Sequence, residues 1–144
     1  MHNLEKLRIL AVEDNVDDIK VLKRAIRDSD VKCELYFAHD GEEALDALAR
    51  RGTFEAMPSP DLILMNINLP KIDGLEVLSR IKEDERIRRI PVVVLTVSER
   101  EEDMVKAYDC GAASYMVKPI DPEEFKRLAE TISSYWHLVR KSPE

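Results

Sequence analysis

The chain has 144 residues, 44% of them hydrophobic, enough for one core of ordinary domain size with little left for a second. Its 22 basic and 29 acidic residues give a net charge of -7, which disfavours non-specific attraction to nucleic acid or to an anionic membrane surface. No stretch approaches the roughly 20 apolar residues of a membrane helix and the first residues carry no secretory leader pattern, so a soluble cytoplasmic protein is expected.

The first apolar run, about 8 to 12, ends in the acidic pair Glu13-Asp14. Asn15, three residues before Asp18, is placed to cap a helix whose apolar face carries Ile19, Leu22 and Ile26. A second run, about 33 to 38, leads to Asp40 and Glu43, a capping pair opening a helix with Ala44, Leu45 and Leu48 on one face and Gly52 at its end. The connection Thr53 to Pro60 is longer than usual and reads as a surface loop, with partner contact as the weaker alternative. The third run, Asp61 to Asn66, is followed by an exposed loop, Ile67 to Gly74, in which Asp73 precedes Glu76 at the start of a helix bearing Leu75, Leu78 and Ile81.

A fourth run, about 91 to 96, ends in Thr96, with Ser98 spaced from Glu101 as another cap and Gly111 closing the helix. The fifth, about 114 to 118, ends in Lys118 before Pro119. Asp121, Pro122 and Glu124 then open a last helix whose apolar face is Phe125, Leu128, Ile132, Tyr135 and Val139. Cys33 and Cys110 lack CxxC spacing and read as reduced thiols. His2, His39 and His137 lack ligand spacing and are expected at the surface.

Strands alternating with helices predict an α/β fold with a parallel sheet covered on both faces. Five strands with right-handed crossovers favour the flavodoxin-like (βα)5 doubly wound order 2-1-3-4-5. One domain over residues 1–144, with a core from about 7 to 140 and no output domain after it, is expected.

That order makes the carboxyl ends of strands 1 and 3 flank the topological switch point, so Glu13, Asp14 and Asn66 would share a crevice walled by Thr96 and Lys118. Adjacent carboxylates repel a phosphate unless a cation lies between them, and magnesium suits such oxygen donors. A flavin phosphate fits less well, because the place of its hydroxyl- or glycine-rich loop is taken by Glu13 and Asp14. Taken alone, the acidic pair would read as nothing more than a helix start. Lys118 at a strand end beside these groups reads as their counter-ion.

The motifs Val12-Glu13-Asp14-Asn15, Asp61 to Gly74, Leu95-Thr96 and Ala113 to Pro119 together resemble the response-regulator receiver domains of two-component signalling, over essentially the whole chain. The loop before the third strand and the segment Tyr135-Trp136-His137-Leu138-Val139 resemble the single-domain regulators of cyanobacterial phytochrome type. By that resemblance Asp14 is the direct magnesium ligand, Glu13 acts on the metal through water, and the Asn68 backbone carbonyl is a third contact. Thr96 is the hydroxyl that reports the phosphoryl group, Lys118 its ion-pair partner and Tyr115 the aromatic switch. Lys118-Pro119 is a cis bond in many relatives. The resemblance implies a signalling module rather than an enzyme, with a histidine kinase and a downstream protein as partners. It also suggests a homodimer through helix 4, strand 5 and helix 5, where Met104, Val105, Tyr108, Tyr115, Phe125 and Tyr135 fall. Trp136 and Tyr135 either pack the last helix or extend that dimer face.

Asn66 departs from the pattern, since the family's phospho-acceptor there is an aspartate. A carboxamide nitrogen is delocalised and its oxygen uncharged, so phosphoryl acceptance at this position should be lost. One negative charge fewer should weaken magnesium binding. Two readings stay open: a phospho-switch held off by the amide, or a native pseudo-receiver serving as a phosphorylation-independent interaction module. The retention of Glu13, Asp14, Thr96, Tyr115 and Lys118 favours the first. A magnesium-dependent hydrolase built on Glu13 and Asp14 lacks a nucleophile or a positioned general base.

Overall fold

Runs such as Leu62–Asn66 and Val92–Thr96 are apolar at nearly every position, a pattern suited to strands covered on both faces, and both are buried throughout. The computed structural model describes residues 6 to 141, with side-chain surroundings through residue 138. His2, the Val139 side chain and the tail Ser142-Pro143-Glu144 lie outside the described residues. The strands are β1 (Leu7–Val12), β2 (Cys33–Ala38), β3 (Leu62–Asn66), β4 (Val92–Thr96) and β5 (Ser114–Val117). Between and after them come α1 (Val16–Ser29), α2 (Gly41–Ala49), α3 (Gly74–Glu83), α4 (Glu101–Asp109) and α5 (Pro122–Lys141).

The strands form one parallel sheet in the order β2-β1-β3-β4-β5, as the alternation of elements implies. Side chains alternate across it with period two. Leu10, Val12, Ile63, Met65, Val92 and Val94 join α2, α3 and α4 on one face. Ile9, Ala11, Leu62, Leu64, Val93 and Leu95 join α1 and α5 on the other. Trp136 touches both clusters and its indole N–H donates to the Asp61 carbonyl, so this residue anchors α5 to the lower edge of the sheet. Tyr135 is partly exposed and donates to the Arg89 carbonyl.

The helix starts follow capping chemistry with one exception. Asn15 accepts from Asp18 N–H, Asp40 from Glu43 N–H, and Asp121 from Glu123 and Glu124 N–H. Asp73 caps α3 through Leu75 N–H rather than through residue 76. Ser98 does not cap α4. That helix begins after Arg100 with no side-chain cap, while the Ser98 hydroxyl donates to Asp103 and accepts from Arg100 N–H. The segment after α2 is also more than a surface loop: it winds into a 3-10 turn at Gly52–Phe54 and buries Met57 and Pro60, because Phe54 and Met57 complete the core beneath α2. Within the expected switch surface Phe125 and Tyr115 are core residues, whereas Val105, Tyr108 and Tyr135 face outward.

Two glycines let the loop after β3 lie against its neighbours. A Cβ on Gly74 would meet the Asn66 carbonyl oxygen at 2.3 Å, and one on Gly41 would meet the Ile72 carbonyl oxygen at 2.2 Å. Both obstacles are backbone, which cannot swing aside. Gly74→Ala is therefore expected to lower stability by about 1 to 3 kcal/mol in urea unfolding, because relief requires displacing the strand end that carries Asn66.

Burial pushes the Cys33 thiol up to about 11 from 9.0. The folded state thus disfavours the thiolate, so this contribution to stability is complete below pH 9 and is lost as pH climbs from 9.0 towards 11. Alkylation of the folded chain at pH 8 should leave Cys33 largely unmodified, whereas unfolding in urea exposes it to rapid reaction; peptide mapping distinguishes the two states.

Candidate functional site

The strand register builds the crevice. Val12 lies beside Met65, so the next residues outward, Glu13 and Asn66, meet at the carboxyl edge of the sheet. Asn66 pairs with Leu95, just before Thr96, and Thr96 pairs with Val117, just before Lys118. The Lys118 N–H continues the ladder to the Thr96 carbonyl at 2.7 Å, and Glu13 N–H does so to Ala38 at 2.9 Å. The Lys118-Pro119 peptide bond is cis.

Glu13 is the centre of the arrangement. Only 4% exposed, its carboxylate accepts three hydrogen bonds. Lys118 Nζ reaches Oε1 at 2.6 Å, while Oε2 receives Asn15 N–H at 3.1 Å and the Asn66 carboxamide Nδ2 at 3.2 Å. Asn66 Nδ2 also donates to the Asn68 carbonyl at 3.2 Å. The amide therefore bridges two of the oxygens expected to serve a cation. Asp14 is exposed.

Lys118 makes a second ion pair, with Asp18 Oδ2 at 3.0 Å. Partial burial pulls its ammonium pKa down, and the hydrogen bonds and charges of Glu13 and Asp18 outweigh that effect, leaving it above the ordinary lysine value. Lys118 is thus the counter-ion expected, but of Glu13 and Asp18 rather than of Asp14 and Asn66. Sequence reading treated Asp18 only as the recipient of a cap. The usable signal was its place in the first turn of α1, four residues after Asp14, on a helix that starts at the crevice.

Thr96 is buried and its Oγ1 accepts from Ser98 N–H at 3.2 Å. Tyr115 is also buried, and its hydroxyl donates to the Ser98 carbonyl at 3.0 Å. Ser98 thus connects the two at the start of the β4–α4 segment.

Among the described residues no group of three or more His, Cys, Asp or Glu side chains is gathered to hold a metal. The candidate donors are two carboxylates and one main-chain carbonyl, all hard oxygen ligands of the kind magnesium or manganese takes. They fit such a cation in kind, but Glu13 and the Asn68 carbonyl are already engaged by Asn66.

These features define an α/β protein that collects acidic, amide, hydroxyl and ammonium groups at the carboxyl ends of parallel strands. The chain belongs to the response-regulator receiver domain family, whose model matches residues 9–130. It is 38% identical over 128 residues to response regulator Rcp1 of Synechocystis sp., covering 89% of this chain and 87% of that protein. It is 40% identical over 136 residues to the probable methanogenesis regulatory protein FilR2 of Methanothrix harundinacea, covering 94% and 86%. Among solved structures, the Mn(2+)-bound form of Rcp1 matches with a TM-score of 0.73 at 37% identity, over 90% of this chain and 94% of that one. The phosphorylated cyanobacterial phytochrome response regulator RcpA matches with a TM-score of 0.75 at 37% identity, over 96% and 99%. Receiver domains are signalling proteins, not enzymes. No described helix is long and apolar enough to cross a membrane.

Replacing Lys118 by Met should cost about 3 kcal/mol in chemical denaturation, because it strands the Glu13 carboxylate in a nearly dry site; the half-exposed Asp18 keeps the loss at the low end for a broken buried pair.

Proposed function

We propose that this protein is a receiver module of histidine-kinase phosphorelay signalling in which Asn66 occupies the phospho-acceptor position, so that side chain 66 takes no phosphoryl group. The observation that carries the reading is the position of the Asn66 carboxamide, at the end of β3 and 3.2 Å from Glu13 Oε2, where an acceptor carboxylate would lie beside the acidic end of β1. An aspartate there would be the nucleophile, Thr96 and Lys118 would meet the incoming phosphoryl oxygens, and alignment with charge neutralisation would supply most of the rate. The amide has no lone pair fit for that attack.

Asp14, Glu13 and the Asn68 carbonyl would hold the divalent cation, magnesium in the cell, and a relative's manganese-bound form supports this assignment. Such a cation would offset the negative charge of a phosphoryl group. In this chain Asn66 N–H groups compete for the same oxygens, which weakens the site.

Output would pass through Ser98. Drawing the Thr96 hydroxyl towards residue 66 breaks its bond with Ser98 N–H, and the Tyr115 tether to the Ser98 carbonyl then carries the change to α4 and β5. Couplings of this size are about 1 to 3 kcal/mol, enough to alter partner affinity. The partners would be a histidine kinase and a downstream protein in the cytoplasm. A second copy would dock across α4, β5 and α5, where Val105, Tyr108 and Tyr135 are exposed.

A second reading, a phosphorylation-independent interaction module, is favoured by the self-sufficiency of the crevice, whose carboxylate is satisfied without any added ion. Incubation with magnesium and a small phosphodonor, followed by intact-mass measurement, separates the two. No adduct is expected on this chain and a labile one on Asn66→Asp, together with roughly tenfold tighter manganese binding by the revertant. A revertant that stays unlabelled supports the interaction module instead.

A further inference from the structure

Lys118 and Asn66 both have unused hydrogen-bonding capacity, yet they do not meet. The ammonium has three N–H donors, of which two are taken by Glu13 Oε1 and Asp18 Oδ2. The Asn66 carboxamide donates to Glu13 and Asn68, and its own oxygen makes no hydrogen bond within the described residues. The lysine's two partners are Glu13 and, on α1, Asp18, and neither is side chain 66.

Asp18 is built to hold it there. Its backbone N–H is tied to the Asn15 cap at 2.9 Å, which fixes the first turn of α1 against the end of β1. Its carboxylate is 42% exposed, whereas the Lys118 side chain is 14% exposed. Asp18 and Lys118 both line a cavity of about 180 Å³ whose other walls, Val21, Leu22, Leu95 and Ile120 among them, are mainly apolar. Those walls offer the ammonium no polar partner, so what draws it to this side of the crevice is Asp18 and the Oε1 edge of Glu13.

We infer that Asp18 is a positioning residue which holds the Lys118 ammonium on the α1 side of the crevice and competes for it with negative charge arriving at side chain 66. This deepens the receiver reading and rests on it. Loss of the Asp18 charge lets the lysine swing about Glu13 towards residue 66, while Glu13 stays paired. The pair is half open to water, so its competition is modest, worth about threefold to fivefold in affinity for an anion at residue 66.

The test uses beryllium trifluoride with magnesium, an inert phosphoryl mimic, titrated into Asn66→Asp. Adding Asp18→Asn should tighten binding about threefold to fivefold, and Asp18→Glu should restore the parent affinity. In a Lys118→Met background Asp18→Asn should have no effect, which a general charge effect would not predict. In the unaltered Asn66 chain, Asp18→Asn should shift the side-chain nitrogen resonances of Lys118 and of the Asn66 carboxamide. Equal affinities with and without the Asp18 charge, or a gain that persists without Lys118, overturn the inference. If Asn66→Asp takes up neither the mimic nor a phosphoryl group, the receiver reading itself fails.

Discussion

The buried carboxylate of Glu13 is the constraint around which this end of the molecule is organised. An anion at 4% exposure is costly unless each oxygen is met by donors, and here the donors come from three different elements. Lys118 arrives from the end of β5, Asn15 N–H from the start of α1 and the Asn66 amide from the end of β3. Satisfying one side chain therefore pins the topological switch point of the sheet. The β3–α3 loop lies in close quarters beside it, where a Cβ on residue 74 would run into the Asn66 carbonyl.

The side chain at residue 66 therefore sets much of the electrostatics of this crevice. A carboxylate beside Glu13 and Asp14 concentrates negative charge and needs a cation. A carboxamide donates hydrogen bonds into that field and relieves it from within. Lys118 pairs with Glu13 and Asp18. Further along the sheet edge Thr96 and Tyr115 are both bonded to Ser98.

The strands were legible because their sequences are nearly uniform apolar runs, and their order followed from handedness and connection rules rather than from particular side chains. The caps at Asn15, Asp40 and Asp121 were legible because capping is local. Ser98 had the same spacing but a different role, because its hydroxyl donates to Asp103 and accepts from Arg100 N–H, while its backbone N–H and carbonyl are engaged by Thr96 and Tyr115. The segment from Thr53 to Pro60 read as a surface loop, yet Phe54 and Met57 find space in the core cluster that the assembled sheet and helices provide.

That Glu13, Asn66, Thr96 and Lys118 fall at neighbouring strand ends on one edge of the sheet could be read from sequence alone, because the strand order fixes which carboxyl ends lie side by side, whereas Asp14, expected with them, is exposed. Which of them actually bond was decided by tertiary structure. The pairing of Lys118 with Asp18, the bridging of Glu13 and Asn68 by the Asn66 amide, and the anchoring of Trp136 on Asp61 span from two to a hundred residues along the chain. Such pairings depend on side-chain reach and competition among neighbours, which residue spacing does not encode.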